Sequence, residues 1–193
     1  MKDGEQRLIE QLKAGETEAF RELVERYKKQ AYYVAYDLMG THEDAEDISQ
    51  EAFIKVYQSI GSFRGEAQFS TWLYRIVVNL CISEKRKKSS KEMEYYGDTI
   101  PEAAHHAQDI DPSEHPEKAL QSQKIQEHIR EALDKLPSQQ KTVFVLRFYQ
   151  DLSLKEIGRI MKLSEGTVKS HLFRTLRKLR EYLKFYEADF GLE

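Results

Sequence analysis

The residues best equipped for chemistry in this chain are aromatic rings placed beside arginines. The stretch FRGEAQFSTWLYRIVVNLC, from Phe63 to Cys81, holds the only Trp (Trp72) and the only Cys (Cys81), with Phe63, Phe69 and Tyr74 interleaved with Arg64 and Arg75. Such rings either fill a core or stack on something flat and negatively charged. Base–aromatic stacking contributes about 1–3 kcal/mol per base, while arginine secures the neighbouring phosphate. That is enough to offset the cost of unstacking a base, so the segment suits a protein that opens duplex DNA. Trp72, Leu73, Ile76, Val77, Leu80 and Cys81 share a helical face, which puts Trp72 in a core. Phe63 and Phe69 flank a polar loop containing Gly65, and Tyr74, Arg75 and Asn79 fall on the other face. These are the expected base-holding groups.

A second segment, SLKEIGRIMKLSEGTVKSHLFRTLRKLREYL, has the grammar of a helix-turn-helix. Ser153 and Glu156 stand at capping-box spacing. Ile157, Ile160 and Met161 form the buried side of a short helix, Lys162-Leu163-Ser164 is a turn of suitable length, and Ser164 caps the next helix. That helix is expected to bury Val168, Leu172, Leu176, Leu179 and Leu183. It presents Glu165, Thr167, Lys169, Ser170, Arg174, Arg177 and Lys178 on its other side. A helix N-terminus carries free amides and a positive dipole that favour phosphate. Gly166 and Ser170 keep that end slim enough for a major groove, where short polar and basic side chains read base edges. The bland alternative is a helical hairpin with a solvated charged face.

These side chains need elements to position them, and helical periodicity supplies them throughout. Leu8, Ile9 and Leu12 mark a short first helix ending near Gly15. Phe20, Leu23, Val24, Tyr27, Ala31, Val34, Ala35 and Leu38 mark a long second one stopped by Gly40. Thr41 with Asp44 resembles a capping box that opens a third helix striped by Ile48, Ala52, Phe53, Val56, Tyr57 and Ile60. Ser70 is a candidate cap for the fourth helix, which ends in the cationic run EKRKKSSK. That run either binds a nucleic-acid backbone or is a solvated helix end. The segment EMEYYGDTIPEAAHHAQDIDPSEHPE then carries three of the four prolines and has no sustained apolar period, so it reads as an irregular tether. Helical pattern resumes with Leu120, Ile125, Ile129, Ala132, Leu133 and Leu136. The fold class is all-α: a helical domain over 1–92, an acidic linker over 93–118, a second helical domain over 119–187 and a tail over 188–193.

Composition sets limits on function. A net charge of −3 hides segregation: Glu94 to Lys118 holds seven acidic residues against Lys118 alone, whereas Lys162 to Lys184 holds seven basic residues against two acidic. A near-neutral total is therefore no argument against nucleic acid. One cysteine excludes an internal disulfide and suits a reducing cytoplasm. No apolar run is long enough to span a membrane. There is no phosphate-cradling Gly-rich loop, no HExxH and no CxxC, so an enzyme is not expected. His105, His106, Asp109, Asp111 and His115 lie in the tether and read as spacer, so neither a metal nor any other cofactor is expected.

With these parts in order, DAEDISQEAFIKVY, then FRGEAQFSTWLYRIVVNL, then LPSQQKTVFVLRFYQDLSLKEIGRIMKLSEGTVKSHLFRTLRKLR, the chain resembles a bacterial RNA polymerase sigma factor of the extracytoplasmic function (ECF) class, in the sigma-70 family. The resemblance covers both domains. It implies that the first is sigma region 2 and the second sigma region 4. It further implies that the helix from Asp44 to Tyr57 grips core polymerase, with Asp44, Asp47, Gln50 and Glu51 docking on a coiled coil of the largest subunit. The crowding of Glu43, Asp44, Glu46, Asp47 and Glu51 independently suits a cationic partner, or else an acidic first turn facing its own helix dipole. By the same resemblance Phe63, Arg64, Phe69, Tyr74, Arg75 and Asn79 melt and read the −10 element, Phe63 and Asn79 framing a pocket for a flipped base. Glu165, Thr167, Lys169, Ser170, Arg174, Arg177 and Lys178 then read the −35 element, and the outer apolar surface of that domain seats the flap of the second-largest subunit. The tether would thread the RNA exit path, and an anti-sigma factor would restrain the protein. The competing expectation is a stand-alone helix-turn-helix regulator with an N-terminal effector domain.

Overall fold

The computed structural model describes residues 2–95 and 116–184, and among them every regular element is helical. The chain separates into two compact units, the described residues 2–95 falling in the first and most of 116–184 in the second. Most of the tether, its histidines and the tail lie outside the described residues.

In the first unit, α1 (Lys2–Lys13), α2 (Thr17–Met39), α3 (His42–Ser59) and α4 (Phe69–Tyr95) follow in order. α2, α3 and α4 pack mutually, and α1 lies on α2. The turns between them are set locally. Gly40 closes α2 at φ 89°, its N–H bonded to the Tyr36 carbonyl, a left-handed conformation that costs glycine nothing. One residue later Thr41 caps α3: its hydroxyl accepts from the Asp44 N–H, and the Asp44 carboxylate accepts from that hydroxyl in return. The expected Thr41 cap is present, with the return bond to Asp44 made by the Thr41 hydroxyl in place of its main-chain N–H.

The buried set of α2 is Ala19, Leu23, Tyr27, Ala31, Val34, Ala35, Tyr36 and Leu38, with Phe20 and Val24 only half-buried. Tyr27 donates its phenol to Glu5, tying α1 to α2. In α3 the stripe is Ala45, Ile48, Ala52, Phe53 and Val56, followed by Ile60. Tyr57, expected inside, is exposed and meets Phe20 edge-on at 5.1 Å. α4 begins at Phe69, so Ser70 lies within its first turn and is not the cap.

In the second unit, α5 (Pro116–Asp134), α6 (Ser138–Phe144), α7 (Leu154–Met161) and α8 (Glu165–Tyr182) follow, a π-helical turn over Val145–Tyr149 leading out of α6. Pro137 stands at the N-cap of α6, where its missing N–H leaves no helical bond unmade. Ala132, Leu133, Leu136, Phe144 and Leu179 form one buried cluster, with Ile129 and Leu183 packed against it, and Val143, Leu146, Ile157 and Val168 are buried as well. Lys141 is buried but paired, its Nζ 2.6 Å from Asp134.

The α7–α8 turn is built as a helix-turn-helix requires. Ser153 and Glu156 form the reciprocal capping box, the Ser153 N–H donating to the Glu156 carboxylate at 2.9 Å and the Glu156 N–H to Ser153 Oγ at 3.3 Å. α7 closes with the Leu163 N–H on the Gly158 carbonyl at 2.9 Å, while Lys162 takes φ 57°. This is a Schellman closure with lysine where glycine is usual. Ser164 then caps α8, accepting from the Thr167 N–H at 3.1 Å. Along α8 the buried residues are Val168, Thr175 and Leu179. Leu176, expected in that stripe, is 47 % exposed, and Thr175 takes its place against α6 with its hydroxyl on the Gln140 carbonyl.

Candidate nucleic-acid interface

The opening stretch divides differently from the expectation. Phe63 is 5 % and Phe69 1 % exposed. Their rings meet edge-on at 6.0 Å, and each packs on Trp72, at 5.2 and 5.8 Å, while Tyr27 of α2 covers Phe69 from 5.1 Å. Tyr74 is buried as well. Its phenol reaches Gln30 at 3.2 Å, and burial pushes its pKa up. The reading of Phe63, Phe69 and Tyr74 as rings standing outside the core is therefore corrected: they brace α4 against α2. The reason is that α4 is covered on more than one side. Tyr74 and Val78 are buried together with Leu73 and Val77, whereas Ile76 and Leu80 are only half-buried.

Arg64, Arg75 and Asn79 are exposed, together with Gly65, Glu66 and Gln68 of the loop. Asn79 sits two turns beyond Trp72 on α4, about 10 Å along the axis, and the Phe63 ring is packed into the aromatic cluster against Trp72. The first unit thus presents a polar, arginine-bearing loop and helix face mounted on a buried aromatic cluster.

On α3, Asp47, Gln50 and Glu51 are exposed and fall on one face at i, i+3 and i+4. Glu51 pairs with Lys55 at 3.3 Å. Asp44 is different, because Lys88 from the far end of α4 lies 2.6 Å from its carboxylate. Burial works to raise the Asp44 pKa, but the hydrogen bonds from Lys88 and Thr41 and the Lys88 charge outweigh it and hold the carboxyl below its ordinary 3.8. A depressed folded pKa contributes stability above the unfolded value that is lost as pH falls through the folded one. Thermal unfolding followed from about pH 6 to about pH 3 is thus expected to show wild type losing stability more steeply than Asp44→Asn. Equal slopes would mean that the pair contributes nothing.

Sequence reasoning passed over two exposed apolar residues. Ile54, 56 % exposed, continues the Asp47–Gln50–Glu51 face by one more turn, and Phe173, 70 % exposed, stands on α8 between Lys169 and Arg177. The signal was their position off the stripes of Ala52–Val56 and Val168–Leu179. Glu165, Thr167, Lys169, Ser170, Arg174 and Arg177 are exposed on α8 and Lys178 is half-buried, while Phe148 and Tyr149 expose two rings on the π turn. Among the described residues no helix is long and apolar enough to cross a membrane, and no cluster suits a metal ion.

Comparison with known proteins gives the family. Residues 23–91 match the Sigma-70 region 2 family and residues 132–181 match Sigma-70, region 4. The chain is 39 % identical to the ECF RNA polymerase sigma factor SigW of Bacillus subtilis, over 91 % of this chain and 95 % of that one. It is 30 % identical to the RNA polymerase sigma-H factor of Pseudomonas aeruginosa, over 93 % and 94 %. The fold matches the sigma factor RpoE of Bartonella quintana, solved in complex with the anti-sigma factor NepR, with a TM-score of 0.69 at 24 % identity over 86 % of this chain and 96 % of that one. Two helical units in region 2–region 4 order, an acidic helix face in the first and a capped helix with an exposed basic side in the second, thus coincide with relatives matched along nearly their whole length: the chain belongs to the ECF sigma factors, which direct bacterial RNA polymerase to promoters.

Proposed function

We propose that the two units divide promoter recognition between them once core polymerase is bound in the cytoplasm. Asp47, Gln50 and Glu51, with Ile54 as apolar anchor, dock on a basic coiled coil of the largest subunit. Asp44 holds the start of that helix. Arg64, Arg75 and Asn79 engage the −10 element as it opens. The N-terminal end of α8 enters the −35 major groove, where Glu165, Thr167, Lys169, Ser170 and Arg174 face base edges and phosphates, Arg177 and Lys178 follow the backbone, and Phe173 meets a thymine methyl. Phe148 and Tyr149 offer apolar surface to the flap. An anti-sigma protein, of the kind bound to the Bartonella quintana relative, restrains the free chain.

The observation that carries this reading is the exposed row Thr167, Lys169, Ser170 and Arg174 on a helix whose opposite side is locked by Val168, Thr175 and Leu179. Lys169→Ala and Arg174→Ala leave that lock untouched. Each is expected to weaken holoenzyme binding to a promoter fragment and to reduce the slope of log K against log salt by about 0.9 for each phosphate no longer neutralised. Unchanged affinity in both variants would reject this docking face. Tight, specific binding by the free protein, without core polymerase, would favour a self-sufficient regulator.

A further inference from the structure

The loop between Phe63 and α4 is pinned from a distance in sequence. Lys13, in the last turn of α1, donates from Nζ to the main-chain carbonyl of Phe63 at 2.6 Å. The same ammonium lies 5.9 Å from the centroid of the Phe63 ring. α1 also packs on the 3₁₀ turn Ile60–Ser62 that leads into the loop. Beyond Phe63, residues Arg64, Gly65, Glu66 and Gln68 are exposed, Gly65 takes φ 70°, and the chain is next buried at Phe69. Two buried rings thus bracket an exposed loop, and Lys13 fixes the carbonyl at its entry. A hydrogen bond from an ionised donor is shorter and roughly twice as strong as a neutral one. α1 lies outside residues 23–91, so the donor of this pin is no part of the region 2 match.

We infer that Lys13 is a positioning residue for promoter melting: its bond to the Phe63 carbonyl sets the take-off of the Arg64–Gln68 loop, so that Arg64 and the start of α4 meet the −10 DNA already ordered. Without the pin, the loop has to be ordered during binding, and that entropy is subtracted from the interaction. The inference rests on the reading that the loop and α4 engage −10 DNA.

Lys13→Met keeps the length of the side chain and loses the donor, whereas Lys13→Arg keeps a charged donor. Two measurements apply. One is amide hydrogen exchange over residues 63–69 in the free full-length protein. The other is permanganate reactivity of complexes formed with core polymerase on a duplex fragment from which the wild-type holoenzyme makes a transcript. Lys13→Met is expected to speed exchange in this segment and to lower open-complex formation about tenfold, equivalent to about 1.4 kcal/mol. Core affinity and the thermal midpoint of the free protein stay at wild type, and Lys13→Arg recovers most of the loss. Unchanged exchange over 63–69, or wild-type melting by Lys13→Met, overturns the inference. If Arg75→Ala and Asn79→Ala also melt DNA normally, the fault lies in the −10 reading; if those two fail while Lys13→Met does not, it lies with Lys13. A melting defect matched by a fallen thermal midpoint and not restored by arginine assigns Lys13 to stability alone, and overturns it too.

Discussion

Phe69→Ala is expected to destabilise the first unit by about 3–5 kcal/mol, the usual cost of truncating a buried aromatic ring. Phe69 is 1 % exposed and touches Phe63, Trp72 and Tyr27, so its loss leaves a void at the junction of α2, α4 and the loop that neighbouring rings cannot all close. Phe63→Ala is expected to follow in the same direction. Asn79→Ala is expected to do the opposite: it removes an exposed side chain, leaves thermal stability at wild type, and lowers open-complex formation by holoenzyme. Thermal unfolding of the free proteins together with permanganate footprinting of the holoenzymes separates the two effects. A wild-type thermal midpoint for Phe69→Ala would mean that the aromatic cluster is not a core, and the rings would again be candidates for stacking on bases.

Gly158→Val is expected to abolish −35 engagement through the fold rather than through any DNA contact. A Cβ at Gly158 would lie 2.7 Å from the Leu163 carbonyl oxygen, closer than real Cβ atoms approach, and that neighbour is backbone held by the Leu163 N–H bond to Gly158. Two γ-methyl groups on top of that clash have to push α7 away from the turn. Overpacking of this kind costs about 1–3 kcal/mol and displaces α8 from the position proposed for −35 recognition. Lys162 gives the converse case. At φ 57° it occupies a conformation that L-residues resist, so Lys162→Gly is expected to stabilise the turn by about 1 kcal/mol. Denaturant unfolding checks both substitutions. Tolerance of Gly158→Val with −35 binding intact would show that the turn has more room than its geometry indicates.

Much of the architecture was legible because it is written over three or four residues. Thr41 with Asp44, Ser153 with Glu156, and Ser164 with Thr167 are capping pairs whose partners are neighbours in the chain, and each forms as its spacing implies. The periodic stripes of α2 and α3 are equally local, as is the choice of exposed residues at the start of α8. These signals, read together, were sufficient for two helical units, while the ECF sigma factor reading came from the resemblance of three whole stretches in order.

What only the tertiary structure decided depends on partners far away in sequence. A helical period locates a buried stripe to within a flank, and the neighbouring helix decides which flank closes. That is why Thr175 is inside and Leu176 outside, and why Tyr57 faces solvent. Phe63 and Phe69 carry the same sequence signature whether they stack on bases or on each other. The covering ring from Tyr27 and the packing of both on Trp72 turn them inward. Asp44 looked like part of an open acidic face until Lys88, forty-four positions on, reached it across α3 and α4. Charge, caps and period are properties of the chain, whereas burial and pairing belong to the packed helices, because they depend on distances that the helix-to-helix packing sets.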